Sequence, residues 1–168
     1  MEGDSGTPSQ ANNGRVVLIA MDGSSHSNYA LQWYADQIKK PGDVVLLAHC
    51  ATYHNLSFGS ASLMPGDPHV VSRVIHEEEE QIKATIEKME HLLKSLNVHG
   101  TVVRLTGEPG PSIVDLARGH GADMIVTGCR GLGQIRRTLM GSVSDFVIHH
   151  SDVPVIVCRQ TGADAKCE

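Results

Sequence analysis

Aromatic residues are scarce in this chain, at 4% of its 168 residues. The core must therefore be built mainly from Val, Ile, Leu, Ala and Met. Hydrophobic residues nevertheless reach 40% and charged residues 20%, a balance typical of a folded protein and unlike that of a disordered chain. The length suits one domain.

An excess of basic residues is also missing: the formal net charge is -5 and the sequence pI is about 6.0. This argues against binding to nucleic acid, which requires a basic surface. No apolar run approaches the roughly 18 residues of a membrane span. The start, MEGDSGTPSQANNG, lacks the basic and apolar regions of a signal peptide. We therefore expect a cytoplasmic protein without membrane contact.

Several site motifs are absent. The four cysteines, Cys50, Cys129, Cys158 and Cys167, form no CxxC pair, so neither a zinc site nor a disulfide framework is expected. The phosphate-binding motif GxxxxGK[ST] and the dinucleotide motif GxGxxG are both missing. The second predicted strand ends in LLAHC and offers no carboxylate to a ribose, which argues against a nicotinamide cofactor.

What is present is an alternation of apolar runs and helical patterns. Strands are predicted at 15–22, 43–50, 98–106, 122–128 and 153–159, with helices between them. This order predicts an α/β fold with a doubly wound parallel sheet covered by helices on both faces. We assign 15–159 to this domain, and expect 1–14 and 160–168 to be flexible tails and 51–69 to be a long loop containing His54 and His69.

The second helix, expected from about residue 70 to 96, has an apolar stripe of Ile75, Ile82, Ile86, Met89 and Leu93. The EEEE run at 77–80 is expected on its solvent-facing side, with Glu79 forming a pair with Lys83 one turn later.

The stretch GCRGLGQIRRTLMGSVSD, residues 128–145, is the best candidate for a phosphate site. It follows a buried strand and ends at a predicted helix start, where unpaired N–H groups attract anions. Glycines allow close approach of the backbone, and three arginines add positive charge. Ser142-Val-Ser-Asp145 also has a capping-box pattern, so Ser142 is predicted to cap its helix, to meet phosphate, or both.

The spacing of Gly128, Gly131, Gly141 and Ser142 gives the pattern G-x2-G-x9-G-[ST]. Together with AMDGS after the first strand and GSVSDFVIHHSDVPVIVCR near the end, this pattern resembles the nucleotide-binding signature of the universal stress protein family. The resemblance covers about 15–159. It implies a five-stranded parallel sheet in the order 3-2-1-4-5, and a protein of the ATP-binding type.

The resemblance also implies a set of site residues. Those expected near the adenosine are Ala20, Met21 and Asp22, with the Cys50 backbone at the adenine edge and Thr127 and Gly128 near the ribose. Those expected around the phosphates are Arg130, Gly131, Gly141, Ser142, Val143 and Ser144. Mg²⁺ or Mn²⁺ would be bound through the phosphates, and a homodimer would form through the last strand, 153–159.

A catalytic base is harder to find. Hydrolysis needs a positioned water and a base as well as charge stabilisation. Asp22 is expected at the adenosine end, and Asp145 at its own helix start. We therefore expect a nucleotide-dependent switch in stress response or signalling, with no catalytic residue assigned. The alternatives are a slow ATP hydrolase that uses the same pocket, and an interaction scaffold without nucleotide.

Overall fold

A computed structural model describes residues 14–51, 68–130 and 140–160 of the chain. Five strands and four helices alternate over these ranges: β1 Val16–Ala20, α1 Ser25–Gln37, β2 Val44–Cys50, α2 Pro68–Ser95, β3 Gly100–Leu105, α3 Pro109–Gly119, β4 Met124–Gly128, α4 Ser142–His150 and β5 Val155–Cys158. Almost all of the two predicted tails and most of the predicted loop 51–69 lie outside the described residues.

The strands form one parallel sheet in the order β3-β2-β1-β4-β5, which confirms the predicted topology. The chain leaves β1 for β2 on one side and later returns to place β4 on the other side. The strand order therefore reverses between β1 and β4, and the carboxyl ends of these two strands form the crevice where such sheets bind ligands.

Alternate residues of each strand enter two separate cores, as a sheet covered on both faces requires. On one face Val17, Ile19 and Leu47 pack in the same buried cluster as Leu31 of α1 and Met89 of α2. On the other face Leu18 and Ile125 share a cluster with helices α3 and α4, through Ile113 and Val147. Helices α1 and α2 thus cover one face, and α3 and α4 cover the other.

The start of α1 agrees with the sequence pattern. Ser24 is the N-cap, and its hydroxyl accepts the Ser27 N–H at 3.2 Å. Asp22 accepts the Ser24 N–H at 2.9 Å, and Gly23 between them has a φ of 82°, a conformation that favours glycine. The β1–α1 connection is therefore held by local hydrogen bonds.

Helix α2 differs from the prediction in its buried face. It begins at Pro68, and Ile75, which we expected in the apolar stripe, is 39% exposed. Glu78 is buried instead, at 5% exposure, so the EEEE run does not lie wholly on the solvent side. Glu78 is one turn from Ile82 on the face that packs on the sheet, and the same face continues through Met89.

Glu79 was expected to pair with Lys83, and the structure pairs it with Arg104 of β3 instead. The two terminal guanidinium nitrogens of Arg104 donate to the two carboxylate oxygens of Glu79, at 2.8 and 2.6 Å. The bidentate geometry across two elements is stronger than a pair one helical turn apart. A contact 25 residues apart in sequence cannot be read from helical spacing.

The amino end of the sheet is fixed by a polar network around Asp43, whose side chain is 4% exposed. Its carboxylate accepts hydrogen bonds from Arg15 at 2.6 and 3.0 Å, from the Tyr34 hydroxyl at 2.6 Å and from the Lys40 N–H at 2.9 Å. Burial alone would raise the pKa of Asp43, but these bonds outweigh burial and hold it below its ordinary value.

Across the described ranges, no helix combines the length and the apolar character that are needed to cross a lipid bilayer.

Candidate functional site

The carboxyl edge of the sheet brings most of the predicted residues together. Backbone hydrogen bonds join neighbouring strands just past their ends: Met21 N–H to Ala48 O at 2.9 Å, Ala51 N–H to Leu105 O at 3.0 Å, and Cys129 N–H to Cys158 O at 2.9 Å. Strand β4 pairs with β1 on the side away from β2, so the connections that follow β2, β1 and β4 begin in neighbouring positions along this edge.

The end of β4 is tightly packed. Thr127 is buried, and its hydroxyl donates to Gly128 O at 3.2 Å. A Cβ placed on Gly128 would lie 2.7 Å from the backbone oxygen of His26 in α1, closer than real Cβ contacts come. Glycine is therefore required here for the close approach of α1 to β4. Arg130 follows and is half-buried.

Helix α4 begins beside this strand end. Gly141 is the N-cap, and its N–H donates to Cys129 O at 2.8 Å, which holds the start of α4 against the end of β4. The Ser144 hydroxyl donates to Gly141 O at 3.1 Å. The predicted capping box is wrong: the cap position is occupied by a glycine, so Ser142 lies inside the first turn and no side chain caps this helix.

The first turn of α4 presents open donors. The first backbone bond of the helix runs from the Asp145 N–H to Gly141 O. The N–H groups of Ser142, Val143 and Ser144 therefore have no acceptor among the described residues. Three such groups at the positive end of a helix dipole are suited to hold an anion. These three residues are among the six that the family resemblance assigned to the phosphates.

The residues assigned to adenosine lie at the ends of β1 and β2. Ala20 and Met21 are buried, and Asp22 is half-buried in the turn that leads to Ser24. Cys50 is the last residue of β2, and its thiol donates to Gly107 O at 3.2 Å. Burial raises the pKa of the Cys50 thiol, so it stays protonated at neutral pH.

Two of the sequence predictions cannot be placed. Gly131 and the arginines of 131–139 lie outside the described residues. In the part of the chain that the structure describes, no group of three His, Cys, Asp or Glu side chains is arranged to hold a metal ion.

Two histidines that the sequence reasoning passed over also lie at this edge. His49 is buried in β2, and its Nδ1 is 2.9 Å from Met21 O. His26 lies in the first turn of α1 against Gly128. Neither is part of a recognisable motif. His49 falls near the end of the predicted strand 43–50, which is the end at the crevice, whereas only the packing of α1 on β4 brings His26 there.

A second concavity of about 460 Å³ lies on α2 beside β3. Its lining is mostly acidic and includes Glu79, Glu80, Ile82, Lys83, Ile86, Glu87, Glu90 and Arg104. Four carboxylates against two cations, one of which already binds Glu79, make it unsuited to a phosphate. The crevice at the β1 and β4 ends is therefore the better candidate for an anionic ligand.

The fold defines a class of α/β proteins with a doubly wound, five-stranded parallel sheet. A sequence model of the universal stress protein family matches residues 14–159. The chain belongs to the universal stress protein family. It is similar to the stress response protein NhaX of Bacillus subtilis, at 26% identity over 85% of this chain and 96% of the relative. It is also similar to the universal stress protein Sll1388 of Synechocystis, at 28% identity over 85% and 96%.

Solved structures share the fold. The hypothetical protein MJ0577 superposes with a TM-score of 0.70 at 22% identity, over 89% of this chain and 99% of that one. A universal stress protein in complex with cAMP gives a TM-score of 0.62 at 21% identity, over 89% and 99%. A family protein from Arabidopsis thaliana with AMP bound gives 0.63 at 18% identity, over 89% and 94%.

Proposed function

We propose that this protein binds an adenine nucleotide, ATP in the first instance, in the crevice between the β1 and β4 ends. The observation that carries the proposal is the first turn of α4. Its three N–H groups without described acceptors, at Ser142, Val143 and Ser144, stand beside the end of β4, where a phosphate would be bound by charge and by hydrogen bonds. Two structural neighbours hold adenine nucleotides, AMP and cAMP.

The remaining parts of a nucleotide fit the other strand ends. Ala20, Met21 and Asp22 would line the adenosine, and the backbone of Cys50 would meet the adenine edge. Thr127 and Gly128 would lie near the ribose, and Arg130 with Gly131 and Gly141 would complete the phosphate site. Mg²⁺ or Mn²⁺, if bound, would neutralise phosphate charge.

We place the protein in the cytoplasm, where binding would act as a switch in stress response. A ligand can shift a protein between two conformations only if it binds one of them more tightly. The chain between Arg130 and Met140 joins the β4 end to the α4 start, so a phosphate bound there would contact both ends of this connection. We expect binding without efficient turnover, since no base is assigned.

The test is calorimetric titration with ATP, ADP and AMP of protein freed of ligand. A Gly141→Val variant should lose most affinity, because a Cβ on Gly141 would already lie 3.3 Å from the Arg130 Cα. Gly119→Val is the matched control, since a Cβ there meets nothing within 4 Å. Absence of any nucleotide binding by the wild-type protein would overturn the proposal.

A second assay with the same proteins distinguishes the slow hydrolase from the switch. Labelled ATP incubated with the wild-type protein would release phosphate, and the Gly141→Val variant would abolish that release. Binding without release supports the switch, whereas release that persists in the variant points to a contaminating enzyme. The scaffold alternative predicts no binding at all.

We further propose a homodimer through residues 153–159. Strand β5 is at the outer edge of the sheet, and Val155, Ile156 and Val157 are only half-buried in the single chain. An apolar edge strand of this kind can pair with a second copy. Sedimentation of a Val157→Asp variant should show monomers. Thr101→Asp, on the opposite edge strand, is the control and should leave the dimer intact. A monomeric wild-type protein would contradict the proposed dimer.

A further inference from the structure

His26 lies where α1 passes the end of β4. Its backbone oxygen is 2.7 Å, and its own Cβ 3.1 Å, from the position that a Cβ on Gly128 would take. Gly128 ends the strand that neighbours β1. His26 therefore lies between the connections that follow β1 and β4, at the point where the strand order reverses.

The side chain of His26 leaves the helix on the side of the ligand edge of the sheet. In an α-helix each Cα–Cβ bond tilts toward the helix N-terminus. Helix α1 begins at Ser25, directly after the connection that leaves the carboxyl end of β1. The side chain of His26, in the first turn, consequently points back toward the crevice and away from the middle of the sheet.

The two ring nitrogens of His26 differ in their surroundings. Nδ1 is sealed from solvent and has no hydrogen-bond partner among the described residues, while the residue as a whole is only half-buried. A proton on Nδ1 would have no acceptor there. The proton of the neutral ring is therefore assigned to Nε2, on the edge that remains accessible, where it is a hydrogen-bond donor.

Two backbone donors accompany this ring. The first hydrogen bonds at the start of α1 are made by the N–H groups of Ser27 and Asn28, both to Ser24. The N–H groups of Ser25 and His26 have no acceptor within the described ranges. Together with the ring they place several donors at the positive end of the α1 dipole.

The starts of α1 and α4 flank the same piece of chain. Gly128 contacts His26 of α1, and the next residue, Cys129, accepts the N–H of Gly141 at the start of α4. We propose that His26 is a ligand-binding residue that donates a hydrogen bond from Nε2 to a phosphate of the bound nucleotide, on the α1 side of the site. This rests on the proposed nucleotide binding and adds a donor that the glycine-rich pattern does not contain.

The experiment compares AMP with adenosine, which differ only in the phosphate. For a His26→Phe variant we expect AMP to bind about ten-fold more weakly, the size of one lost hydrogen bond to a charged group, and adenosine to bind within two-fold of wild type. His26→Gln keeps a side-chain N–H donor and should retain part of the AMP affinity. Gln32→Ala, at an exposed position further along α1, is the control and should bind both ligands normally.

Equal weakening of AMP and adenosine, or no weakening of either, would overturn the role of His26. Should the Phe variant fail to fold, ¹⁵N spectra of the wild-type imidazoles decide: Nε2 of His26 must respond to AMP and not to adenosine. A response to both ligands, or to neither, overturns the inference. Failure of the proposed function would give a different result, because the wild-type protein would then bind neither AMP nor adenosine.

Discussion

The two ends of the sheet are built in opposite ways. At the amino end, the Asp43 carboxylate accepts four hydrogen bonds, from Arg15, Tyr34 and the Lys40 backbone. At the carboxyl end, the starts of α1 and α4 present N–H groups without described acceptors, and the half-buried His26 lies in the first turn of α1. The first end is closed by its own polar groups, which makes it structural, whereas the second leaves donors open for an anion.

The amino end should carry the larger share of stability. We expect Asp43→Asn to lower the free energy of unfolding by about 2–4 kcal/mol, because it leaves the partly buried Arg15 without its counter-charge. Urea unfolding measures this. The exposed Asp36, which accepts only from Gln32, is the control, and Asp36→Asn should change stability by less than about 0.5 kcal/mol. Equal effects at the two positions would show that the Asp43 network is not the structural end.

Acid should reveal the same network in the wild-type protein. The pKa of Asp43 is lowered in the folded state. The contribution of Asp43 to the free energy of unfolding is therefore complete above pH 3.8, the ordinary pKa of this group, and it is lost as the pH falls through the lower pKa of the folded state. The stability difference between wild type and Asp43→Asn should therefore be large at pH 6 and shrink at pH 3. A difference that does not change with pH would contradict the assigned charge.

At the carboxyl end, a substitution should affect ligand binding as well as stability. Gly128→Ala places a methyl group 2.7 Å from a backbone oxygen of α1, so we expect a loss of about 1–3 kcal/mol in stability together with weakened AMP binding. Gly119→Ala adds the same methyl group in open space. It should leave AMP binding unchanged, and it should leave stability unchanged or slightly improved. Unaltered AMP affinity in folded Gly128→Ala would argue against a site at this strand end.

A smaller effect is expected at high pH. Burial, with a minor contribution from Cys129, raises the pKa of Cys158 to about 11, from an ordinary value of 9.0. The buried, protonated thiol of Cys158 contributes to stability below pH 9, and this contribution falls as the pH rises toward 11. The free energy of unfolding should therefore drop by about 1 kcal/mol by pH 10. A Cys158→Ala variant should lack this part of the alkaline loss, which unfolding curves at pH 8 and 10 would measure.

The sequence predicted the strands and their order well because each strand is a short apolar run between turn residues, and the glycine pattern linked the chain to a known topology. It failed where the outcome depends on three-dimensional neighbours. Helical spacing favoured Ile75 for the buried stripe of α2. The way in which α2 packs on the sheet buries Glu78 instead.

The same limit applies to the candidate site. The glycine spacing correctly identified where β4 ends and α4 begins, since both are local features. It could not decide that Gly141, and not Ser142, occupies the cap position, because that depends on the bond from Gly141 to Cys129. Nor could it bring His26 to Gly128, two residues that are distant in sequence and meet only because α1 packs over β4.

The central claim is that the open end of the sheet binds phosphate through the first turn of α4. Its most direct test is titration of ¹⁵N-labelled protein with AMP and, in parallel, with adenosine. The account predicts saturable shifts of the Ser142, Val143 and Ser144 amide signals with AMP only, while the amide of Lys40, at the closed end, stays unchanged. Saturable AMP binding that leaves these three amides unmoved, or that moves them equally with adenosine, would contradict it.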